Sequence, residues 1–335
     1  MNKPTILIVT HSSDVHADRV GAVIATREEP CFRIDLDRFP RDYRLAVALG
    51  EAGWRGHIVC QCTGAAIDVE QIRSVWMRKP AEFTFAAELS AQEKAFADGE
   101  ANHLLLGWLN SLDCFFMSHP TALRAAGWKC EQLVRARRMG FIVPPSIVAN
   151  EPGAARTFIA NANSGAIYKT LSTPTLAAEN VAEGDRVAGG LHTTMVEPND
   201  LDLESIEILP GLFQHYIPKS YEVRVTVVAG HVFAARIDSQ SNDRTRVDFR
   251  HFDAEVAYDP IELPKSVSDN CRNFVTSYGL TYGAIDLIAR PDGEYVFLEN
   301  NPVGQFVFVE ELAPALRITE CVANVLIEGR QPWPS

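Results

Sequence analysis

The stretch AIDLIARPDGEYVFLENN, residues 284–301, constrains the fold of this chain most, because it predicts a hairpin that ends in acids and amides. Its two apolar runs flank Pro-Asp-Gly, a strong signal for a tight turn. If Asp292 and Gly293 form a two-residue loop, Asp286 lies directly opposite Glu299, with Cβ atoms roughly 5 Å apart. A three-residue loop with a bulge would shift this register by one residue.

Two carboxylates at opposed positions repel each other unless a cation or a proton lies between them. Asn301 is two residues beyond Glu299 and therefore points to the same face of the strand. Three hard oxygen ligands suit Mg²⁺, so Asp286, Glu299 and Asn301 are predicted metal ligands. Two alternatives stay open, a polar sheet edge facing solvent and a carboxyl dyad sharing a proton. The apolar neighbours of both acids favour a covered sheet, where unpaired acids are costly.

The size and composition of the chain are typical of a globular protein. Its 335 residues suffice for a large core in two or three subdomains, with 47% hydrophobic and 22% charged residues. A net charge of −12 argues against nucleic acid and anionic membranes as partners. No signal-peptide pattern or membrane-length apolar stretch is found, and the seven cysteines are scattered. We therefore expect a cytoplasmic protein with reduced thiols.

The N-terminal residues predict an open α/β sheet. Residues 5–10 form a predicted buried strand, a polar turn follows, residues 17–27 are predicted as a helix, and residues 31–36 as a second strand. Because the turn lacks Gly-x-Gly-x-x-Gly, no dinucleotide site is predicted there. The sequence thus favours a doubly covered sheet without a nucleotide fingerprint.

Further elements are predicted along the rest of the chain. One strand and three helices are expected at residues 74–79, 86–110, 120–139 and 312–328. Residues 172–190 are rich in small and polar residues, which indicates a mobile loop that could act as a lid. Strands dominate after residue 212.

The order of chemistry-bearing residues resembles the ATP-grasp superfamily over roughly residues 120–330. That order is Lys129, Lys169, the loop, LFQHYI, YEVR, Arg236, Asp286, Glu299 and Asn301. More narrowly, the chain is similar to the ATP-grasp ligases that macrocyclise microviridin-type peptides, the graspetides. The stretches that carry this similarity are ILIVTHSSDVHADRV, FRIDLDRFP, SVWMRKP, VDFR and FLENNPVGQF. Two departures from the usual motif are Asn300, where an apolar residue is usual, and Val303, where Asn is commoner.

The resemblance implies an α/β (α+β) ATP-grasp fold in which two α+β subdomains sandwich ATP. It implies an N-terminal open α/β (pre-ATP-grasp) domain at residues 1–119. A central ATP-grasp subdomain with the mobile loop would cover residues 120–211. A C-terminal subdomain with the magnesium site would cover residues 212–335.

The resemblance also assigns the nucleotide contacts. Lys129 and Lys169 would reach the phosphates, and Glu222 would bind the ribose hydroxyls. The strand LFQHYI would read adenine through its backbone, along Gln214, His215, Tyr216 and Ile217. Simpler readings remain open: a solvated helix cation for Lys129, an ordinary half-exposed histidine for His215, and a cross-strand partner of an arginine for Glu222.

Five cations are expected to complete the site. Arg224 and Arg236 lie on adjacent strands of one apparent hairpin, and with Arg250 they would form a cationic wall for the γ-phosphate and the substrate carboxylate. Arg78 and Lys79 end a strand of the N-terminal domain and would contribute to the acceptor-substrate side.

The implied activity is that of an ATP-dependent carboxylate–amine or carboxylate–hydroxyl ligase. Two Mg²⁺ ions would assist transfer of the γ-phosphoryl group to an Asp or Glu side chain of a precursor peptide. A hydroxyl or amine would attack the resulting acyl phosphate, giving an ω-ester or an ω-amide macrocycle. A leader segment would dock on the enzyme, and the resemblance suggests a homodimer. The alternatives are a small-molecule ligase for amino acids or dipeptides and a nucleotide-binding regulatory protein without turnover.

Overall fold

The computed structural model describes residues 5–79, 81–172, 191, 193–250 and 254–330. The predicted lid at residues 172–190 therefore lies, apart from its first residue, outside the described residues. Within the described part of the chain, no helix is both long enough and apolar enough to cross a membrane.

The described residues form eight α-helices and sixteen strands joined by short loops and 3-10 turns. The helices are α1 Val15–Thr26, α2 Ala91–Asn110, α3 Pro120–Ala125, α4 Lys129–Arg138, α5 Pro152–Ala160, α6 Lys265–Thr276, α7 Val307–Leu312 and α8 Ile318–Glu328. The strands are β1 Thr5–Thr10, β2 Cys31–Asp35, β3 Tyr43–Gly50, β4 Gly53–Cys60, β5 Ala66–Asp68, β6 Ile72–Met77, β7 Phe115–Met117, β8 Ser146–Ala149, β9 Ala166–Lys169, β10 Thr194–Val196, β11 Gly211–His215, β12 Tyr221–Val228, β13 His231–Ile237, β14 Tyr258–Pro260, β15 Tyr282–Ala289 and β16 Tyr295–Asn301.

The N-terminal sheet is parallel, in the order β2-β1-β6-β7, which confirms the predicted open α/β sheet. All six residues of β1 are buried, as expected for a central parallel strand. Asp14 caps α1, because its side chain accepts a hydrogen bond from the His16 N–H. A small antiparallel sheet, β3-β4-β5, and α2 cover one face, and α1 and α8 pack on the other.

Two antiparallel sheets form the rest of the molecule. The central sheet has the order β10-β9-β11-β8 and packs on α5. The C-terminal sheet has the order β14-β13-β12-β15-β16. One of its faces packs on α4 and α6 around Phe274 and Phe297. The other face packs in part on α7 and α8, and the core there is continuous with the N-terminal sheet.

The helix predicted at residues 120–139 is two helices, α3 and α4, so this prediction was wrong. The chain breaks at Gly127, and the side chain of Gln132 donates to the Ala126 carbonyl in the break, at 2.7 Å. Lys129 consequently lies at the start of α4, and its side chain reaches Glu299 of the C-terminal sheet. The helix α6 was not predicted from the sequence.

The hairpin of β15 and β16 confirms the pairing of Asp286 with Glu299, although the predicted two-residue loop was wrong. The Arg290 N–H donates to the Glu294 carbonyl at 2.9 Å, so the loop has three residues and ends at Gly293, whose φ is +87°. That loop shifts the register by one. A bulge at Leu298 shifts it back, because Leu287 pairs with Phe297 while Asp286 pairs with Glu299.

Candidate active site

A cleft lies between the central sheet and the C-terminal sheet, and most of the predicted nucleotide-site residues line it. Those that do are Lys169, Gln214, His215, Tyr216, Ile217, Glu222, Arg250, Asp286 and Glu299. Lys129 and Arg224 lie beside it and contact the two acids. The bulge at Leu298 matters here, because it lets both Leu298 and Glu299 reach the cleft.

The two opposed acids each hold cations. Arg224 Nη1 donates to Asp286 Oδ1 at 2.7 Å, and both residues are buried. The Lys129 ammonium lies 3.2 Å from Glu299 Oε2, and Arg250 Nη1 lies 3.6 Å from Glu299 Oε1. The acids therefore do not depend on a shared proton, which disfavours the carboxyl dyad.

The two acids titrate differently. Burial alone would raise the pKa of Glu299, but Lys129, Lys169 and Arg250 outweigh it and lower that pKa to about 2. Burial raises the pKa of Asp286, and Arg224 opposes this shift. Glu299 is therefore ionised at neutral pH.

This end of the cleft carries an excess of positive charge although the whole protein is acidic. Among the described residues here, Lys129, Lys169, Arg224 and Arg250 face three carboxylates, Asp248, Asp286 and Glu299. Lys169 forms no direct ion pair within the described residues, and burial lowers its pKa. An unpaired cation beside paired ones is suited to a polyanion such as a triphosphate.

The residues present fit a magnesium ion that is shared with phosphate oxygens. Asp286 and Glu299 are cross-strand partners, and Asn301 follows on the same face opposite Ala284. Asn301 is exposed, and its Oδ1 accepts a hydrogen bond from the Val303 N–H at 3.1 Å, which leaves a second lone pair. The described residues contain no group of three His, Cys, Asp or Glu side chains able to hold a metal. The Asn301 amide oxygen could supply a third oxygen ligand beside the two acids.

In the stretch LFQHYI, one backbone N–H at the cleft has no hydrogen-bond partner among the described residues. The His215 N–H donates to Pro145, and the Tyr216 N–H donates to Gly165. The Ile217 N–H makes no hydrogen bond to any described residue, so it can donate to a ring nitrogen of a bound base. The His215 ring packs on Phe158 at a centroid distance of 4.6 Å, which agrees with a backbone role for this position.

Glu222 forms a buried ion pair that the sequence reading missed. Lys219 Nζ donates to Glu222 Oε1 at 2.7 Å and to the Val247 carbonyl at 3.0 Å. The expected alternative, a cross-strand arginine partner, is therefore wrong. Burial raises the pKa of Glu222 although Lys219 opposes this. The spacing of three residues in PKSYE was the available signal for this pair.

Arg250 is held by an aspartate two residues earlier. Its Nε and Nη2 donate to the two oxygens of Asp248 at 2.8 Å each, a bidentate pair, and Nη2 also contacts Thr193 Oγ1 at 3.2 Å. This leaves Nη1 directed at Glu299. Asp248 and Thr193 were not predicted as site residues, although VDFR contains the aspartate.

Arg236 does not join this constellation, so its predicted place in the cationic wall needs correction. It pairs with Val223 on the neighbouring strand, whereas Arg224 pairs with Ala235 and Asp286. Successive residues of a strand alternate between faces, so Arg236 lies on the face opposite the acids. It is exposed there and stacks on the Tyr221 ring at 4.4 Å.

Arg78 and Lys79 lie in a second cleft, between the N-terminal sheet and the chain that follows β16. Arg78 is only 2% exposed, and its Nη1 donates to the Val303 carbonyl. Lys79 is half-buried and forms no ion pair within the described residues. Of the two, Lys79 is therefore the cation that an incoming ligand could meet.

The chain is similar to several solved ATP-grasp ligases. The sequence profile of the MvdD pre-ATP grasp domain matches residues 5–124. A RiPP-associated ATP-grasp ligase of Chryseobacterium gregarium, in complex with ADP and a leader and core peptide, is 28% identical over 98% of both chains, with a TM-score of 0.87. The macrocyclase MdnB of Microcystis aeruginosa MRC is 30% identical over 98% of this chain and 100% of its own, with a TM-score of 0.79.

The ATP-grasp ligase PsnB, complexed with a phosphomimetic variant of a minimal precursor, Mg and ADP, is 25% identical over 98% of this chain and 99% of its own, with a TM-score of 0.74. A search of curated proteins finds no match.

Proposed function

Since the chain belongs to the family of ATP-grasp ligases and macrocyclases that act in the maturation of ribosomal peptides, we propose that it closes rings in a precursor peptide. It would activate Asp or Glu side chains with ATP and join them to a hydroxyl or an amine. The observation that carries this proposal is the opposed pair Asp286 and Glu299, held among cations in the cleft between two sheets.

ATP would bind along that cleft. The Ile217 N–H, which has no partner among the described residues, would meet adenine, and the Glu222–Lys219 pair would meet the ribose hydroxyls. Lys169 and Lys129 would contact the phosphates, since Lys169 forms no ion pair with any described residue and Lys129 already lies beside Glu299. The complex of the Chryseobacterium gregarium ligase with ADP supports this use of the cleft.

Asp286, Glu299 and Asn301 would hold magnesium, and we propose two ions. Magnesium supplies charge compensation on the transferring phosphoryl group. Arg224 and Lys129 keep both carboxylates in place and keep the free carboxylates from repelling each other. PsnB, solved with Mg and ADP, supports the choice of metal.

The proposed reaction needs no co-reactant other than ATP. A peptide carboxylate oxygen attacks the γ-phosphorus, the bond to the β-phosphate oxygen breaks, and ADP leaves. A Ser, Thr or Lys side chain then attacks the acyl carbon, phosphate leaves with the bonding electrons, and the nucleophile loses its proton to the medium. Arg250, fixed by Asp248, can stabilise the negative charge that develops on the transferring group. Lys79 would face the peptide from the N-terminal side.

Mass spectrometry of a precursor peptide incubated with the enzyme and Mg·ATP tests the proposal. The expected result is the loss of one water per ring, with one ADP released per ring and none without peptide. ADP release driven by a free amino acid alone would favour the small-molecule ligase. Nucleotide binding without ADP release from any substrate would favour the regulatory protein. A candidate precursor is a short neighbouring gene rich in Thr, Asp, Glu and Lys near its end.

We also propose the domain division given above, at 119/120 and 211/212, and a cytoplasmic homodimer. The match of a pre-ATP grasp profile to residues 5–124 supports the first boundary. Limited proteolysis tests the division, and light scattering of the purified protein tests the dimer.

A further inference from the structure

Residues 303–307, which follow the proposed metal-binding strand after Pro302, form a segment that we name the post-ligand loop. The first two hydrogen bonds of this loop are made to Asn301. The Asn301 side chain accepts from the Val303 N–H at 3.1 Å, and the Asn301 carbonyl accepts from the Gly304 N–H at 3.1 Å. The conformation of this loop therefore determines where the Asn301 amide oxygen points.

The C-terminal sheet holds the loop from one side. The Tyr282 hydroxyl donates to the Gly304 carbonyl at 2.8 Å, and Arg224 Nη2 donates to the Gln305 carbonyl at 3.0 Å. A Cβ on Gly304 would overlap the Cβ of Ala284 and lie 2.9 Å from Arg224 Nη2. The loop is thus pressed against the strand that carries Asp286, and the absence of a side chain at Gly304 permits this approach.

The N-terminal domain holds the same loop from the other side. Arg78 Nη1 donates to the Val303 carbonyl. His16 Nε2 accepts from the Phe306 N–H at 3.0 Å and from the Val307 N–H at 3.2 Å. Because Nε2 accepts two hydrogen bonds, the proton of the neutral ring lies on Nδ1, which is 3.3 Å from Asp14 Oδ1.

Asp14 joins these two residues into one cluster. Its carboxylate accepts from the Thr10 hydroxyl at 2.6 Å and from the His16 N–H at 3.1 Å, and lies 3.6 Å from Arg78 Nε. Asp14, His16 and Arg78 are 3%, 8% and 2% exposed, so water competes little for these contacts. Asp14 caps α1, His16 lies in the first turn of α1, and Arg78 directly follows β6.

We propose that Asp14, His16 and Arg78, which we name the clasp, are positioning residues that set the post-ligand loop and through it the metal ligand Asn301. This inference rests on the proposed function for its catalytic consequence, but the clasp itself is a contact of the described residues. The sequence predicts that Arg78 contacts substrate. In this proposal, Arg78 acts through the loop instead. The N-terminal domain thereby contributes to the metal site without touching it.

The clasp requires a neutral His16, because protonated Nε2 cannot accept a hydrogen bond. Three charged groups face the ring: Asp14, which caps the same helix, and Arg78 and Lys79, which follow β6. Glu311 of α7 lines the same cleft and forms an ion pair with Arg19. Burial lowers the pKa of His16, Asp14 opposes this, and the two cations support it. The stabilisation is therefore complete above the ordinary histidine pKa of 6.5 and is lost as pH falls through the lowered folded value.

Two variants of His16 test the clasp in the full chain. His16→Leu removes the acceptor, whereas His16→Gln keeps an acceptor near the Nε2 position that does not titrate. Hydrogen exchange of the Phe306 and Val307 amides should rise at least about tenfold in His16→Leu and about twofold or less in His16→Gln. Protection of these amides should fall with decreasing pH in the natural protein and stay constant in His16→Gln.

Binding of Mg·ADP, measured by calorimetry, gives the link to the metal site. The magnesium concentration for half-maximal ADP binding should rise about tenfold in His16→Leu, with His16→Gln close to the natural protein. Equal exchange in all three proteins would overturn the clasp. Faster exchange with unchanged magnesium dependence would overturn its link to Asn301. If His16→Leu does not fold, the pH comparison between the natural protein and His16→Gln still decides. If the natural protein shows no ATP turnover, the proposed function is contradicted, but the hydrogen-exchange test of the clasp is unaffected.

Discussion

Glu299 is the residue on which the proposed chemistry depends most. Three cations, Lys129, Lys169 and Arg250, outweigh the effect of its burial and keep it ionised. A carboxylate that is already ionised can exchange a lysine contact for a metal contact without having to lose a proton first. Asp286 differs, because Arg224 is its direct partner and is itself tied to the post-ligand loop.

We predict that Glu299→Gln lowers ATP-dependent turnover by more than about 100-fold, because the charged ligand that we propose for magnesium is lost and three cations lose their carboxylate. ADP release in the presence of peptide measures the effect, and thermal unfolding checks that the fold is retained. Glu294→Gln is the matched control, since Glu294 is an exposed carboxylate at the other end of the same hairpin. Normal turnover in Glu299→Gln would refute the metal role.

Arg250 and Arg236 form a natural pair for comparison. Arg250→Ala should lower turnover at least about tenfold, because the bidentate partner of Asp248 and a charge beside Glu299 are lost. Arg236→Ala should change turnover less than about threefold, since that side chain is exposed on the other face of the sheet. Steady-state kinetics and ADP binding separate the two. A larger loss in Arg236→Ala would restore the role expected from the sequence.

The misplacement of Arg236 shows where sequence reasoning was incomplete at the residue scale. Two arginines on adjacent strands are close, but only the register determines whether they share a face. Val228 pairs with His231, so Arg224 is opposite Ala235. The two-residue turn was visible in the sequence, and applying its register would have placed Arg236 correctly. The pairing of Lys219 with Glu222, by contrast, had only their spacing of three residues in PKSYE as a signal.

At the scale of elements, the active-site hairpin shows two irregularities that cancel. The loop ending at Gly293 and the bulge at Leu298 shift the register in opposite directions, so Asp286 still meets Glu299. The predicted pairing assumed a two-residue loop, and it holds because the bulge offsets the extra residue of the loop. The sequence alone does not locate this bulge at Leu298.

At Asn300, the outer edge of that hairpin forms hydrogen bonds with a side chain and not with another strand. Gln132 of α4 accepts from the Asn300 N–H at 2.8 Å and donates to the Asn300 carbonyl at 2.8 Å. It therefore pairs with the edge strand as a neighbouring strand would. This contact fixes α4, and with it Lys129 one turn earlier, against the residue next to Glu299.

We predict that Gln132→Leu lowers the free energy of unfolding by about 2–3 kcal/mol, because buried backbone groups of Asn300 and the Ala126 carbonyl lose their partner. Urea unfolding at 25 °C measures the change. Cys130→Ala, at an exposed position of the same helix, is the control and should stay within about 0.5 kcal/mol. Equal stability of Gln132→Leu and the natural protein would contradict the structural role given to this amide.

At the scale of the whole molecule, the proposed site is assembled from every large unit of the fold. The central sheet supplies Lys169 and the backbone of Ile217, and the C-terminal sheet supplies the acids. The N-terminal domain supplies the clasp. The sequence was sufficient for the family, for the open α/β start and for most cleft residues, because these depend on local patterns. In the clasp, His16 contacts Phe306 and Val307, which lie 290 and 291 positions later in the sequence. No local pattern predicts such a contact.

Anomalous diffraction from crystals grown with Mn²⁺ in place of Mg²⁺ and a non-hydrolysable ATP analogue tests the proposed metal site most directly. We expect a peak within about 2.3 Å of a carboxylate oxygen of both Asp286 and Glu299, with the analogue's phosphates on the same ion. A peak only at other residues, or a triphosphate outside the cleft between the two sheets, would contradict it.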